Sequence, residues 1–189
     1  MFARLIYDYS NKYILSASVR RDRSSKFGPD NRAGIFWSVS GAWNLSEESF
    51  LKDVSWLNIA KIRASYGVTG NDQIGDNYAW LSSLNKNHDV IFGTTAVKAY
   101  YPSAYSNRNL GWEKNNQVDL GFDFGVFDRI NLTVDLYRRV SDIVMPANIP
   151  NFNGIAGSIN MNSGQIENKG IEIQLTGRPF TGDFQWETT

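Results

Sequence analysis

From Gln117 to Val144 apolar and polar residues alternate almost without interruption. Val118, Leu120, Phe122, Phe124 and Val126 share one parity, and Gln117, Asp119, Gly121, Asp123 and Gly125 the other. After Phe127-Asp128-Arg129, residues Ile130, Leu132, Val134 and Leu136 oppose Asn131, Thr133, Asp135 and Tyr137. A period of two predicts two strands joined by a tight turn, one face apolar and the other carrying charge and glycine.

The same alternation predicts strands at Phe2–Tyr9, Lys12–Arg21, Arg32–Trp43, Asn58–Thr69 and Glu167–Gly177, with a last one opening at Asp183. Ser10-Asn11 reads as a hairpin turn. Ser46-Glu47-Glu48-Ser49 reads as the cap and first turn of a short helix, with the adjacent carboxylates in that turn. Residues 70–114 and 145–165 have no clean period and read as long loops. Connections therefore alternate between short and long. An up-and-down membrane barrel sorts them this way, with short periplasmic turns and long outer loops. Val118–Val126, at a tilt near 40°, covers roughly 23 Å, about the apolar band of an outer membrane. The predicted fold is all-β: an antiparallel up-and-down transmembrane barrel segment. Val118, Leu120, Phe122, Phe124, Ile130, Leu132, Val134 and Leu136 would face lipid, and Asp119, Asp123, Asp135 and Arg139 the lumen. Tyr9, Tyr13 and Trp43 fall at short-turn ends and Tyr66 near a long-loop end, where interface aromatics belong. Arg138 shares the apolar parity and would have to snorkel at the outer rim.

Composition narrows the chemistry. Lys plus Arg and Asp plus Glu both number 19, so charge gives no argument for nucleic acid. With no cysteine and one histidine, His88, thiolate sites are excluded and a metal would have only carboxylates. His88 lies in the polar run Asn85–Asp89 and reads as a solvated loop residue. No phosphate-binding glycine loop appears, since Gly121 and Gly125 are strand-spaced on the polar parity. They would either admit lumen contents close to the wall or relieve twist. No cofactor and no catalytic group is predicted. Tyr78, Trp80, Tyr100 and Tyr101 form a candidate ligand or partner-contact loop, because aromatic faces stack on sugar rings.

Four stretches resemble the SusC/RagA-type TonB-dependent outer-membrane transporters. They are RRDRSSKFGPDNRAGIFWSVSGAWNLSEESFLKD (Arg20–Asp53), WLNIAKIRASYGVTGND (Trp56–Asp72), NLGWEKNNQVDLGFDFGVF (Asn109–Phe127), and SDIVMPANIP with ENKGIEI (Ser141–Pro150, Glu167–Ile173). Arg23 stands where that family usually has Gly, and Trp37 where it usually has Pro. The resemblance implies that residues 1–189 are a partial barrel domain, about eight strands of a roughly 22-stranded barrel. The family's signal peptide, plug domain and closing strands would then lie outside these residues. It also implies import of large nutrients, oligosaccharides or peptides, across the outer membrane of a Gram-negative cell. A SusD-like surface lipoprotein and the TonB complex would be partners, and no enzyme activity is implied. A soluble all-β carbohydrate-binding module and a small stand-alone outer-membrane barrel are the alternatives. A glycan-active enzyme would need a carboxylate pair about 5–9 Å apart, and no pair recommends itself.

Overall fold

The computed structural model describes residues 1–150, 157–181 and 185–189. Among the described residues ten strands form one sheet: β1 Phe2–Tyr9, β2 Tyr13–Arg23, β3 Ala33–Asn44, β4 Leu57–Asn71, β5 Ser83–Phe92, β6 Thr95–Ala104, β7 Glu113–Val126, β8 Ile130–Ile149, β9 Gly157–Thr181 and β10 Gln185–Thr188. The order is β1-β2-β3-β4-β7-β8-β9-β6-β5, with β10 also pairing β9. Among the described residues pairing is antiparallel except for one parallel bridge, Ala104 with Ser158. The predicted meander is present. Asp183 and Phe184, predicted in its last strand, lie outside the described residues.

Three expectations need correction. Residues 70–114 are not all loop, since β5 and β6 form a hairpin there with His88 on strand backbone. Residues 145–165 are mostly strand, because β8 and β9 pair up to Ile149 and Gly157. The short helix is only a 3-10 turn, Leu45–Glu47, with no side-chain cap.

Register lines the apolar parity into continuous rows. Ala64, Leu120, Leu136 and Ile171 form one, and Ile62, Phe122, Val134 and Ile173 the next. Ala60, Phe124, Leu132 and Leu175 form a third. Above them the row Tyr66, Val118, Arg138, Lys169 turns charged. β8 and β9 run 20 and 25 residues. At about 3.3 Å per residue each is at least twice as long as an apolar band of about 25 Å requires. Their upper halves extend well beyond the apolar rows.

On β2 and β4 the apolar parity is the exposed one. Tyr13, Leu15, Ala17 and Val19 are exposed while Ile14, Ser16 and Ser18 are half-buried, and Ile62, Ala64 and Tyr66 are exposed while Lys61, Arg63 and Ser65 are half-buried. Leu120 is 47% and Ile173 69% exposed. A water-soluble sheet would cover this face. Among the described residues the buried apolar side chains are Phe27, Phe36, Ala60, Ala79 and Leu110.

At the short-turn end, Ser10 with Asn11 and Phe127 with Asp128 all have φ near +55°. Such paired left-handed residues make the hairpin turns whose twist matches the strands. Tyr9, Tyr13 and Trp43 stack in sequence, with ring centroids 6.5 and 6.2 Å apart. Glu48, predicted in a helix turn, instead folds back onto them. It accepts hydrogen bonds from Tyr13 Oη at 2.7 Å, Lys12 Nζ at 3.0 Å and Trp43 Nε1 at 3.1 Å. The Tyr13 hydrogen bond, then those of Lys12 and Trp43, hold its carboxyl down from 4.5 to about 2. A carboxyl lowered on folding contributes stability above its unfolded value, and that stability is lost as pH falls through the folded one. Trp43 fluorescence in the assembled barrel is therefore expected to hold between pH 4.5 and about 2 and to change only near 2. Glu48→Gln should abolish that transition, and a wild-type midpoint near 4.5 would contradict the clasp.

Candidate functional site

The polar face carries an ion-pair network built across three strands. Arg63 on β4 lies opposite Gly121 on β7, and Gly121 lies opposite Asp135 on β8. A Cβ on Gly121 would sit 2.5 Å from Asp135 Oδ1 and 2.7 Å from Arg63 Cζ. The missing side chain lets the guanidinium cross β7. Arg63 Nε donates to Asp123 Oδ2 at 2.8 Å, and its Nη2 donates to Asp123 Oδ1 at 3.1 Å and Asp135 Oδ1 at 3.0 Å. Thr133 Oγ1 adds a hydrogen bond to Asp123 at 3.1 Å. One step higher, Asp119 accepts from Ser65 at 2.9 Å and Gln117 at 2.7 Å, and Arg139 Nε donates to Gln117 at 3.0 Å.

Asp119, Asp123, Asp135 and Arg139, expected on one face, are on one face, Asp123 and Asp135 in the first cluster and Asp119 and Arg139 in the second. Arg63, which joins Asp123 to Asp135, was not singled out from the sequence. Gly121 is accounted for by Arg63, and Gly170 similarly lies under the Tyr137 ring, whose Oη is 2.8 Å from where a Cβ would be. A concavity of about 680 Å³ lies over this face, lined by Arg63, Asp119, Asp135, Tyr137, Arg139 and Glu172. Gly121→Val should displace the Arg63 guanidinium and leave Asp123 facing Asp135. With Arg63 38% exposed, solvent screens the pairs and the cost is about 1 kcal/mol. A urea midpoint equal to wild type would contradict the role assigned to Gly121.

Above the apolar rows the connections interlock. Phe27, Ala79 and Leu110 form a buried knot, with Ile74, Trp80, Trp112 and Val144 against it. Gly28 is obligatory there, since its Cβ would lie 1.9 Å from the Arg108 carbonyl oxygen. Phe36 extends the knot downward, its ring seated where side chains on Gly34 and Gly70 would be. Trp112 packs on both Phe27 and Phe36, with centroids 5.0 and 5.2 Å apart. Asparagines tie the loops to β9. Asn107 Nδ2 donates to the Asn160 carbonyl at 2.7 Å, and Asn162 exchanges hydrogen bonds with the Gly111 backbone at 2.9 Å. Glu113 accepts from Asn71 Nδ2 at 2.8 Å and from the Val144 amide at 2.9 Å.

The four aromatics expected to form one contact loop are placed differently from one another. Tyr78 is 70% and Tyr100 66% exposed. Tyr101 is half-buried on the opposite parity of β6. Trp80 packs on the knot with the Arg32 guanidinium 5.8 Å over its ring. Among the described residues no group of three or more His, Asp or Glu is placed to hold a metal.

A family model described as TonB dependent receptor-like, beta-barrel, matches residues 1–189. TonB-dependent receptor P3 of Formosa agariphila is 38% identical over 191 residues, covering 100% of this chain and 19% of the relative. The TonB-dependent receptor SusC of Bacteroides thetaiotaomicron is 37% identical over 192 residues, covering 98% of this chain and 19% of the relative. The solved RagAB peptide importer in its closed-closed state matches with a TM-score of 0.81 and 30% identity, over 96% of this chain and 20% of that one. The siderophore receptor PirA from Pseudomonas aeruginosa shares the fold, with a TM-score of 0.61 at 14% identity over 98% of this chain and 32% of that one. This chain spans about a fifth of the length of the curated relatives. Those relatives are receptors, not enzymes.

Proposed function

The chain belongs to the TonB dependent receptor-like β-barrel family of outer-membrane proteins, and from that premise we propose that its sheet is one stretch of the wall of a transporter importing large nutrients. The apolar rows through Val118, Leu120, Phe122 and Phe124 on β7, and Ile130, Leu132, Val134 and Leu136 on β8, face lipid. The network of Asp119, Asp123, Asp135 and Arg139 lines the lumen, where a plug supplied by another part of the same protein rests against it. The long connections point outward, toward a SusD-like lipoprotein and an oligosaccharide or peptide. Tyr78 and Tyr100 offer exposed rings on that side, Tyr101 lies on the same hairpin, and Trp80 braces the loop beneath. The TonB complex acts through parts of the protein outside these residues. The work is conformational and uses no catalytic group.

One observation carries this reading: the apolar parity is the more exposed one, as it must be in a wall whose outer solvent is lipid. The test is uptake in cells lacking the whole gene, offered labelled oligosaccharides in one arm and peptides in the other. Loss of uptake of one class, restored by the full-length gene, is expected. Uptake of every member of both classes at the wild-type rate would overturn the proposal.

A further inference from the structure

We propose that the outward face just above the apolar rows binds the phosphorylated sugar headgroup of an outer-leaflet glycolipid. The inference rests on the wall reading above, which places this face against the membrane's outer rim. Its first observation is charge. The row that ends the apolar band carries Arg138 beside Lys169. Two rows higher on the same parity, Lys114 pairs in register with Asp142. All three cations are exposed. Arg138 is held by Glu167, with Nε 2.7 Å from the carboxylate. Among the described residues neither Lys114 nor Lys169 belongs to an ion pair.

The second observation is a cavity. β3 and β4 pair only from Ser38 with Gly67 downward, while β3 continues upward with β2 alone. A notch of about 510 Å³ is left there, lined by Asn31, Ile35, Trp112, Lys114, Asp142 and Asn162. Its apolar wall, Ile35, is 62% exposed and continues the lipid-facing parity of β3. Trp112 is held from behind, its Nε1 donating to the Arg32 carbonyl at 3.2 Å. Asp142 accepts from Gln165 at 3.1 Å and has lone pairs left for a hydroxyl.

The spacing chooses the ligand class. Lys114 stands four residues above Val118, whose row contains Lys169, so the two ammonium groups attach about 13 Å apart along the strands. A single phosphate would engage both only with both side chains stretched fully toward each other across two strands. A disaccharide headgroup with a phosphate at each end engages both without that, with sugar hydroxyls at the edge of the notch beside Lys114 and its acyl chains over Leu136 and Ile171 below. Ammonium groups suit phosphate as point charges without a fixed fork geometry.

The test uses the full-length barrel in nanodiscs containing lipid A with its phosphates or the same lipid A dephosphorylated. Native mass spectrometry counts the lipid A retained. Wild type is expected to retain the phosphorylated form and at least several-fold less of the dephosphorylated one. Lys114→Gln with Lys169→Gln, which leaves the Arg138–Glu167 pair alone, should lower retention several-fold. Lys52→Gln with Lys98→Gln, removing two exposed cations elsewhere, should not. Equal retention in both double variants, or equal retention of both lipid forms by wild type, would overturn the inference. Heat-modifiability is measured on every sample. Failure of wild type to assemble as a membrane barrel sinks the wall reading, whereas an assembled barrel with unchanged lipid A sinks this inference alone.

Discussion

Phe122→Lys in the full-length protein is expected to abolish assembly of the barrel. Phe122 lies in the middle of the apolar rows, between Ile62 on β4 and Val134 on β8. Its ring stacks on that of Phe124, centroids 6.1 Å apart. An ammonium there has no aqueous exit within reach and no carboxylate on its own face in the rows above or below. A lysine on the lipid side near the bilayer midplane costs about 2–4 kcal/mol. That is a large fraction of the net stability of a folded domain, about 5–15 kcal/mol. Thr133→Lys, one position away on the opposite face beside Asp123, should be tolerated. Heat-modifiable mobility of the two variants is the readout. Normal assembly of Phe122→Lys together with failure of Thr133→Lys would reverse the assignment of the faces.

Gly28→Val is expected to open the surface knot while leaving the barrel assembled. The Arg108 carbonyl lies 1.9 Å from where a Cβ would go, and the Gly28 amide donates to the Leu110 carbonyl at 3.2 Å. No rotamer change clears a backbone atom, so the two loops must part. Leu110 is fully buried, and Leu110→Ala should cost about 2–5 kcal/mol of knot stability through lost burial and the cavity left behind. With the knot open, the segment from 72 to 112 loses its seat on Phe27, against which its Ala79, Leu110 and Trp112 pack. Protease added to intact cells should then cut that segment many times faster than in wild type, while heat-modifiability stays unchanged. Wild-type resistance in Gly28→Val would show that the loops do not depend on this contact.

How much of this could be read from the chain depends on what each residue faces. Where one side of the sheet is apolar along its whole length, alternation is strict, and β1–β4, β7 and the lower halves of β8 and β9 were legible for that reason. Above the apolar rows neither face needs to be apolar. SDIVMPANIP and the residues around Asn160 therefore lose their period, although they are hydrogen-bonded strands. The β5–β6 hairpin was hidden by the same cause, since Val90, Ile91 and Phe92 run together and are all exposed. The knot gave no local signal. Phe27 and Leu110 are lone apolar residues in polar, glycine-containing stretches, and each has a partner only in the folded chain. The motif runs were a clue to it, because Phe27-Gly28, Gly70-Asn71 and Asn109 to Trp112 come from three of them and meet there. On the polar face the aspartates were evident from parity. Arg63 was visible on the right parity of β4, but its role required knowing that β4 lies beside β7 across the intervening β5–β6 hairpin.

Spin-label accessibility at two adjacent positions of β7 decides whether the apolar rows face lipid. The chain contains no cysteine, so a single introduced thiol is unique within it. Leu120→Cys and Asp119→Cys are labelled in the full-length protein in its native membrane. Their relaxation is then compared in the presence of oxygen, which partitions into lipid, and of a water-soluble nickel chelate. Strong oxygen and weak nickel broadening is expected at 120, and the reverse at 119. Strong nickel broadening at 120, with oxygen dominant at 119, would mean that the apolar rows do not face lipid and that the sheet is not the wall described.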